Sequence, residues 1–413
     1  MRISRLSAAV FVVVLAVGTV CLPQAMATSK SLAKTGQPAT GKQTSSTAKK
    51  KVSTTAKTRK KTVATARARR AGATRLRTTR RSRPAVSSKF PTYGDPAAGD
   101  DIGRDDPVVR AAAVKALGNL MGGMVVVNPE NGQILSIVNQ KLALESGYQP
   151  CSSFKPAVAL AALGEGIINN DSNRLQLGRR WNLDLKHALA KSNNLYFESL
   201  GRALGLERLQ YYAKLFGFGE QASIGVGEES TGAVPAQAPP QWAGGVGKVA
   251  SFGQGISMTT LQLASFTSAM ANGGKLYYLQ YPVAGEPYEP RLKRELPITD
   301  SLNPVRVGME TAVLAGTARR ANNPDIHLMG KTGTCSEAGA RLGWFASYTD
   351  APSKLAVVVL LRTGVKLGGG PKASEVAGKF FRNLGEQNYF AALESRSLTA
   401  RAIPATATIG TLR

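Results

Sequence analysis

Cys151-Ser152-Ser153-Phe154-Lys155-Pro156, followed without a single charge by Ala157-Val158-Ala159-Leu160-Ala161-Ala162-Leu163 and closed by Gly164, reads as a helix that begins in polar residues and continues into core. The small apolar run has no polar face, and a helix apolar all round is a buried one. Pro156 is tolerated only in a first turn, so the helix has to start close to Ser152. There the Ser152 hydroxyl meets free backbone N–H groups and a dipole that favours a developing anion. Lys155, three residues on, shares the helix face of Ser152. A serine hydroxyl is a poor nucleophile without a base, and a lysine can be that base when burial and a second cation lower its pKa. Taken alone, the same residues also describe an N-capping serine with an ordinary first-turn lysine.

Working outward, Lys191-Ser192-Asn193-Asn194 falls between the helical stretches 183–190 and 195–204. A loop serine there could relay a proton, and Asn194 offers the amide donor and acceptor that suit a peptide backbone. Simple turn chemistry accounts for Ser and Asn in a loop equally well. Further on, Lys331-Thr332-Gly333-Thr334 lies inside a strand signal. Alternation puts Lys331, Gly333 and Cys335 on one face and Thr332 and Thr334 on the other. Lys331 can supply the second cation, the Thr pair can hydrogen-bond a carboxylate, and Gly333 lets another segment approach the strand. An edge-strand lysine with no task is the plainer reading.

S-x-x-K, S-x-N and K-T-G in this order, each on the expected element, are far more specific together than apart. From about Gly122 to Leu384 the chain resembles the transpeptidase domain of penicillin-binding proteins. Further segments carry the likeness: Phe216-Gly217-Phe218-Gly219, Gly253-Gln254-Gly255, Ala271-Asn272-Gly273-Gly274 and Gly343-Trp344-Phe345. The resemblance implies a serine D,D-transpeptidase in which Ser152 forms an acyl-enzyme with a D-Ala-D-Ala stem peptide of peptidoglycan. Lys155 would be the base, and Ser192 and Lys331 would complete the proton network. Asn194 would hold the peptide, Thr332, Gly333 and Thr334 would bind the substrate end, and the backbone N–H groups of Ser152 and Thr334 would form the oxyanion hole. β-Lactams would be covalent ligands. No metal or cofactor is implied, and neither His187 nor His327 is needed.

The rest of the pattern fits that fold class, an α/β (α+β) architecture of the β-lactamase/transpeptidase type. An antiparallel sheet would be flanked by helices and joined to an all-helical lobe. Asp106-Pro107 reads as an N-cap and first helical position where order begins. Met124 to Val127 and Ile134 to Val138 flank Asn131-Gly132 as a hairpin. Helical patterns dominate Ser152 to Phe216. Strand signals return at His327–Cys335, Leu342–Tyr348 and Lys354–Leu361, and a last helix spans Ala373–Leu384. Early and late strands would thus close one sheet.

The formal net charge of +27 is uneven. No Asp or Glu precedes Asp95, and residues 1–89 hold 21 of the 53 Lys and Arg, so basicity is concentrated in a tail. Residues 1–27 read as a signal peptide, with Arg2 and Arg5 before an apolar run and Ala25-Met26-Ala27 at the cleavage spacing. An uncleaved inner-membrane anchor over residues 6–22 is the rival. Either places the rest in the periplasm or cell-wall space. Residues 28–89, rich in Lys, Arg, Thr, Ser and Ala, are expected to be a disordered basic linker. They lack aromatic residues for base stacking, so no nucleic acid is expected. Anionic wall polymers or a membrane surface are the expected partners, with a partnerless spacer as the alternative. Residues 90–388 would form the catalytic domain and 389–413 a loose tail.

Three departures from the family pattern stand out. No glycosyltransferase module and no pedestal domain is recognisable, a Cys replaces the glycine that often precedes the nucleophile, and another follows the third motif. Cys151 and Cys335 are the only cysteines left after signal removal and are expected to pair in an oxidising compartment; two buried free thiols are the alternative. The same two positions are bridged in carbapenem-hydrolysing class A β-lactamases. A D,D-carboxypeptidase would use the same residues, a serine β-lactamase would need a water-activating Glu (Glu228 and Glu229 being the nearest), and a β-lactam sensor or wall-anchoring module would stop at acylation.

Overall fold

In the computed structural model, which describes residues 90–350, 354–364 and 367–393, pairing begins before the first helix. Gly94 N–H donates to Asn119 and Met121 N–H to Thr92. Paired structure is therefore already present ahead of Asp106, where order was expected to begin. The expected signal peptide and basic linker, and residues 394–413, lie outside the described residues.

Helix α1 (Pro107–Leu117) starts where Asp106 caps the N–H groups of Val108 and Val109, with Pro107 at a position where a missing N–H costs nothing. The chain then runs through β1 (Gly122–Asn128), β2 (Gln133–Val138), α2 (Gln140–Leu144) and α3 (Lys155–Gly164). A hairpin of β3 (Leu175–Gly178) and β4 (Trp181–Leu183) leads to α4 (Leu185–Ala190) and α5 (Asn194–Leu215). After α6 (Gly245–Phe252) and α7 (Thr260–Asn272) comes a second hairpin, β5 (Lys275–Tyr277) with β6 (Leu292–Glu295), then α8 (Thr299–Ala315). Strands β7 (Leu328–Glu337), β8 (Ala340–Thr349) and β9 (Ala356–Thr363) precede α9 (Gly369–Glu386).

The large sheet is antiparallel with order β2-β1-β9-β8-β7, so the first and last strands of the domain meet at its centre. Both faces are covered. Val357, Val359 and Leu361 pack with α1 and α9, while Val358 and Leu360 pack with the helical lobe around α3 and α7. A strand buried on both sides has no reason to alternate, and β9 reads as an unbroken apolar run. Each such side chain contributes roughly 1.5–3 kcal/mol by leaving water. Two consequences follow for the site: β7 is an edge strand with one side free of ladder partners, and the lobe is held against it.

The lobe is helical but not wholly so. The β3–β4 and β5–β6 hairpins interrupt it, their strands only three or four residues long and partly exposed, too short for periodicity to register. At the other end the chain does not turn loose at residue 389. Residues 389–393 are helical, and Tyr389 is buried against the α1–α9 core with its hydroxyl donating to Asp106 at 3.3 Å. One aromatic ring seated on a core outweighs the polar look of the flanking sequence, and the folded domain extends to at least residue 393. Among the described residues no helix is long and apolar enough to cross a membrane.

Candidate active site

The turn before α3 is built around an unusual backbone. Cys151 adopts φ 54°, in the left-handed region that favours glycine, and residues Cys151–Phe154 form a single 3-10 turn before the α-helix proper begins at Lys155. Ser152 therefore sits one turn earlier than the first α-turn, in the tight winding common at helix starts. A non-glycine residue in that region costs on the order of 1 kcal/mol, and the surroundings hold it. The Gln149 carbonyl accepts from Trp344 Nε1 at 2.9 Å, and Cys151 is disulfide-bonded to Cys335 of β7, with Cα atoms 5.7 Å apart. Gly333 abuts the same turn: a Cβ there would come within 2.8 Å of the Pro150 carbonyl and 3.0 Å of Ser153 N. Three contacts thus fix the serine turn to β7 and β8.

The two adjacent hydroxyls are placed differently. Ser153 is buried and donates to the Pro150 carbonyl at 2.6 Å. Ser152 lines a cleft of about 220 Å³ together with Ser192, Asn194 and Thr334.

Lys155 and Lys331 are both fully buried, and they converge on one oxygen. Lys155 Nζ donates to Ser192 Oγ at 3.2 Å, to the Ser192 carbonyl at 2.7 Å and to Asn194 Oδ1 at 2.7 Å. Lys331 Nζ donates to Ser192 Oγ at 2.8 Å and to the Thr332 carbonyl at 2.8 Å. Ser192 has φ 53° in the sharp turn between α4 and α5, where Lys191 N–H still bonds His187 and Asn193 caps α5. That turn aims the Ser192 hydroxyl and the Asn194 amide at the cleft wall. With two cations on the Ser192 oxygen, its own proton is left to point elsewhere. With Oδ1 of Asn194 taken by Lys155, its NH₂ group remains for a ligand.

Burial, and then the charge of Lys331, hold the Lys155 ammonium well below its ordinary pKa. Burial brings Lys331 down to about 7. The repulsion between the two ammoniums is mutual, so the pair sheds its first proton more readily than either lysine would alone.

Thr332 and Thr334 leave the opposite face of β7. Thr332 Oγ1 shares a 2.7 Å hydrogen bond with Thr317 Oγ1, and Thr334 Oγ1 accepts from Gly370 N–H at 2.7 Å. All the singled-out residues thus surround one cleft or support its wall. Three further lining residues escaped the sequence reading: Phe252, Thr317 and Pro371. Phe252 and Pro371 adjoin glycine clusters that hinted at close packing, but Thr317 follows a helix end and carries no local signal. It reaches the cleft because its N–H bonds the Ala190 carbonyl beside Ser192.

The disulfide closes a loop of 184 residues. Chain entropy sets its contribution at no more than ~5 kcal/mol. Reduction is expected to lower the melting temperature by several degrees; identical melts with and without reductant, after thiol counting shows the bridge open, would contradict this.

Comparisons with known proteins bear on the family and the fold. A family model described as the penicillin binding protein transpeptidase domain matches residues 122–384. Stage V sporulation protein D of Bacillus subtilis is 31% identical over 261 residues, covering 52% of this chain and 40% of that protein. The peptidoglycan D,D-transpeptidase MrdA of Haemophilus influenzae is 26% identical, covering 73% of this chain and 57% of the relative. The chain thus spans about half the length of these curated relatives. Among solved structures, the transpeptidase domain of Burkholderia pseudomallei penicillin-binding protein 3 superposes with TM-score 0.57 at 19% identity, covering 68% of this chain and 94% of that one. At that identity the likeness speaks for the fold.

Proposed function

The chain belongs to the penicillin-binding protein transpeptidase family, and from that premise we propose that it is a serine D,D-transpeptidase acting on D-Ala-D-Ala stem peptides of peptidoglycan. The observation that carries the reading is the convergence of Lys155 and Lys331 on Ser192 Oγ, at 3.2 and 2.8 Å, in the wall of the cleft that Ser152 lines.

In this mechanism neutral Lys155 takes the Ser152 proton as Oγ attacks the carbonyl carbon of the penultimate D-Ala. The tetrahedral oxyanion is held by the backbone N–H groups of Ser152 and Thr334. When the C–N bond breaks, the Ser192 hydroxyl protonates the departing D-Ala amine and regains a proton from Lys331. Asn194 Nδ2 binds the peptide carbonyl, and Thr332 and Thr334, joined by Thr317, receive the terminal carboxylate. An acceptor amine then attacks the acyl-enzyme, and the same groups run in reverse.

The cleft chemistry favours this over a β-lactamase. None of its lining residues is a carboxylate. Glu229 spends its oxygens on Ala222 N–H, Ser223 N–H, Ser223 Oγ and Thr259 Oγ1, at 2.7–3.0 Å, and Glu228 is solvent-exposed. The test is incubation with a stem pentapeptide and an amine acceptor, with products separated by mass. A cross-linked product supports transpeptidation. Tetrapeptide alone at saturating acceptor would make the protein a D,D-carboxypeptidase, and no turnover of any peptide would remove the enzymatic reading.

The same proposal places the domain in the periplasm or cell-wall space, with β-lactams as covalent ligands and residues 28–89 as an electrostatic tether to an anionic polymer or membrane surface. Such a tether acts through screened charge. Deleting residues 28–88 should leave the acylation rate of the soluble protein within about twofold while abolishing binding to wall material at low salt. Binding that survives the deletion, or that ignores salt in the full chain, would argue against it.

A further inference from the structure

A second cavity, of about 250 Å³, lies beyond the Ser152 cleft, against the segment that leads into the serine turn. Phe90 and Pro91, the start of β1, α2, Tyr148 and the β9 residue Arg362 enclose it. The Arg362 guanidinium carbon lies over two rings, 4.1 Å from the centroid of Phe90 and 5.3 Å from that of Tyr148. Ring contacts occupy the faces of a planar guanidinium and leave its N–H edges for a planar anion. Among the described residues no carboxylate pairs with Arg362, and no acceptor takes its side-chain protons.

Tyr148 adds a second, independent feature. It is only 7% exposed, lines the cavity, and its hydroxyl has no hydrogen-bond partner among the described residues. Unlike the Ser268 and Tyr348 hydroxyls, which are fully buried without a partner, it keeps accessible surface and can donate to a ligand. Lys141 stands on the same wall and has no ion pair among the described residues. The single acidic lining residue, Glu145, pairs with neither cation. Met121 and Leu142 make the remainder apolar. Unspent donors around an apolar floor are complementary to one kind of ligand.

We propose that this cavity binds a small molecule bearing an oxyanion, a carboxylate or a phosphate, on a compact apolar group. The oxyanion takes the free edge of Arg362 and the Tyr148 hydroxyl, and the apolar part rests on Met121 and Leu142. The site is separate from the acyl-transfer cleft, and the inference does not depend on the reaction assigned to Ser152.

Calorimetric titration of the full chain at physiological salt tests it, with benzoate and phenyl phosphate as probes and benzyl alcohol as the neutral control. One anion per chain is expected to bind, and benzyl alcohol far more weakly. Arg362→Met should weaken the anion about tenfold or more, the loss of a charge-assisted pair. Tyr148→Phe, which keeps the ring and the packing, should weaken it by about three- to tenfold, the worth of one hydrogen bond. Benzoate alone binding identifies a carboxylate ligand, phenyl phosphate alone a phosphate. Failure of both anions to bind would overturn the site. So would affinity unchanged in both folded variants, the outcome if the basic residues 28–89 or the Ser152 cleft were taking the anion.

Discussion

Ser152→Ala protein is expected to take up no label from a radioactive penicillin, a loss beyond about 10⁴-fold because no other group can form the ester. Ser153→Ala protein should still be labelled. The adjacent serine spends its proton on the Pro150 carbonyl and is buried away from the cleft, so losing it costs about 1 kcal/mol of stability and no nucleophile. Peptide mapping of the labelled wild-type chain should place the adduct on Ser152 alone. Label retained by the Ser152 variant would end the assignment, whatever the behaviour of Ser153.

The second large effect concerns Lys155. Lys155→Met keeps most of the buried volume and removes the base, and acylation should slow by about 10³–10⁴-fold, the upper range for general base catalysis. Lys155→Arg separates proton transfer from charge: a guanidinium keeps the cation but cannot be deprotonated in a protein. It should be as slow as the Met variant, whereas rescue by Arg would mean that Lys155 acts only as a positive charge. Thermal melts separate these losses from unfolding, since Met leaves the Ser192 carbonyl and Asn194 Oδ1 without their donor and Arg adds volume to a fully buried site. The pH profile follows from the same pair. In the wild type the acylation rate should climb as Lys155, held well below its ordinary pKa, sheds its proton. It should fall again as Lys331, at about 7 in the free protein, sheds its own. Lys155→Met should lack the rising limb. A wild-type rate independent of pH would contradict both roles.

Much of the site was legible because its parts are local. Ser152 and Lys155 sit three residues apart, Pro156 marks the helix start, and Lys331 declares its strand face through the glycine two positions on. The sheet was legible from apolar runs such as Val357–Leu361, which need no long-range information to read as strands. What stayed hidden was mostly tertiary. Thr317 joins the cleft only because α8 ends beside Ala190, and no residue near it in sequence says so. The hairpins β3–β4 and β5–β6 are too short to carry a period. Tyr389 looked like part of a tail because its binding surface, α1, lies almost three hundred residues away. The left-handed backbone at Cys151 was foreshadowed by the glycine that often fills this place in the family, although the physical cause was visible only in the dihedral.

The strand order β2-β1-β9-β8-β7 also sets a schedule for synthesis. A growing chain that has reached the end of α8 already owns Ser152, Lys155, Ser192 and Asn194, yet β1 and β2 form only a lone hairpin, which is marginal by itself. Lys331 and Cys335 have not been made, and β9, the strand that seats β1 in the sheet, comes later still. The serine turn stays without its cation and its disulfide partner until about four-fifths of the 413 residues exist, and the sheet stays without β9 until about nine-tenths. Prematurely terminated chains that stop between the end of α8 and residue 363 should therefore carry every residue of the first two motifs and still be inert.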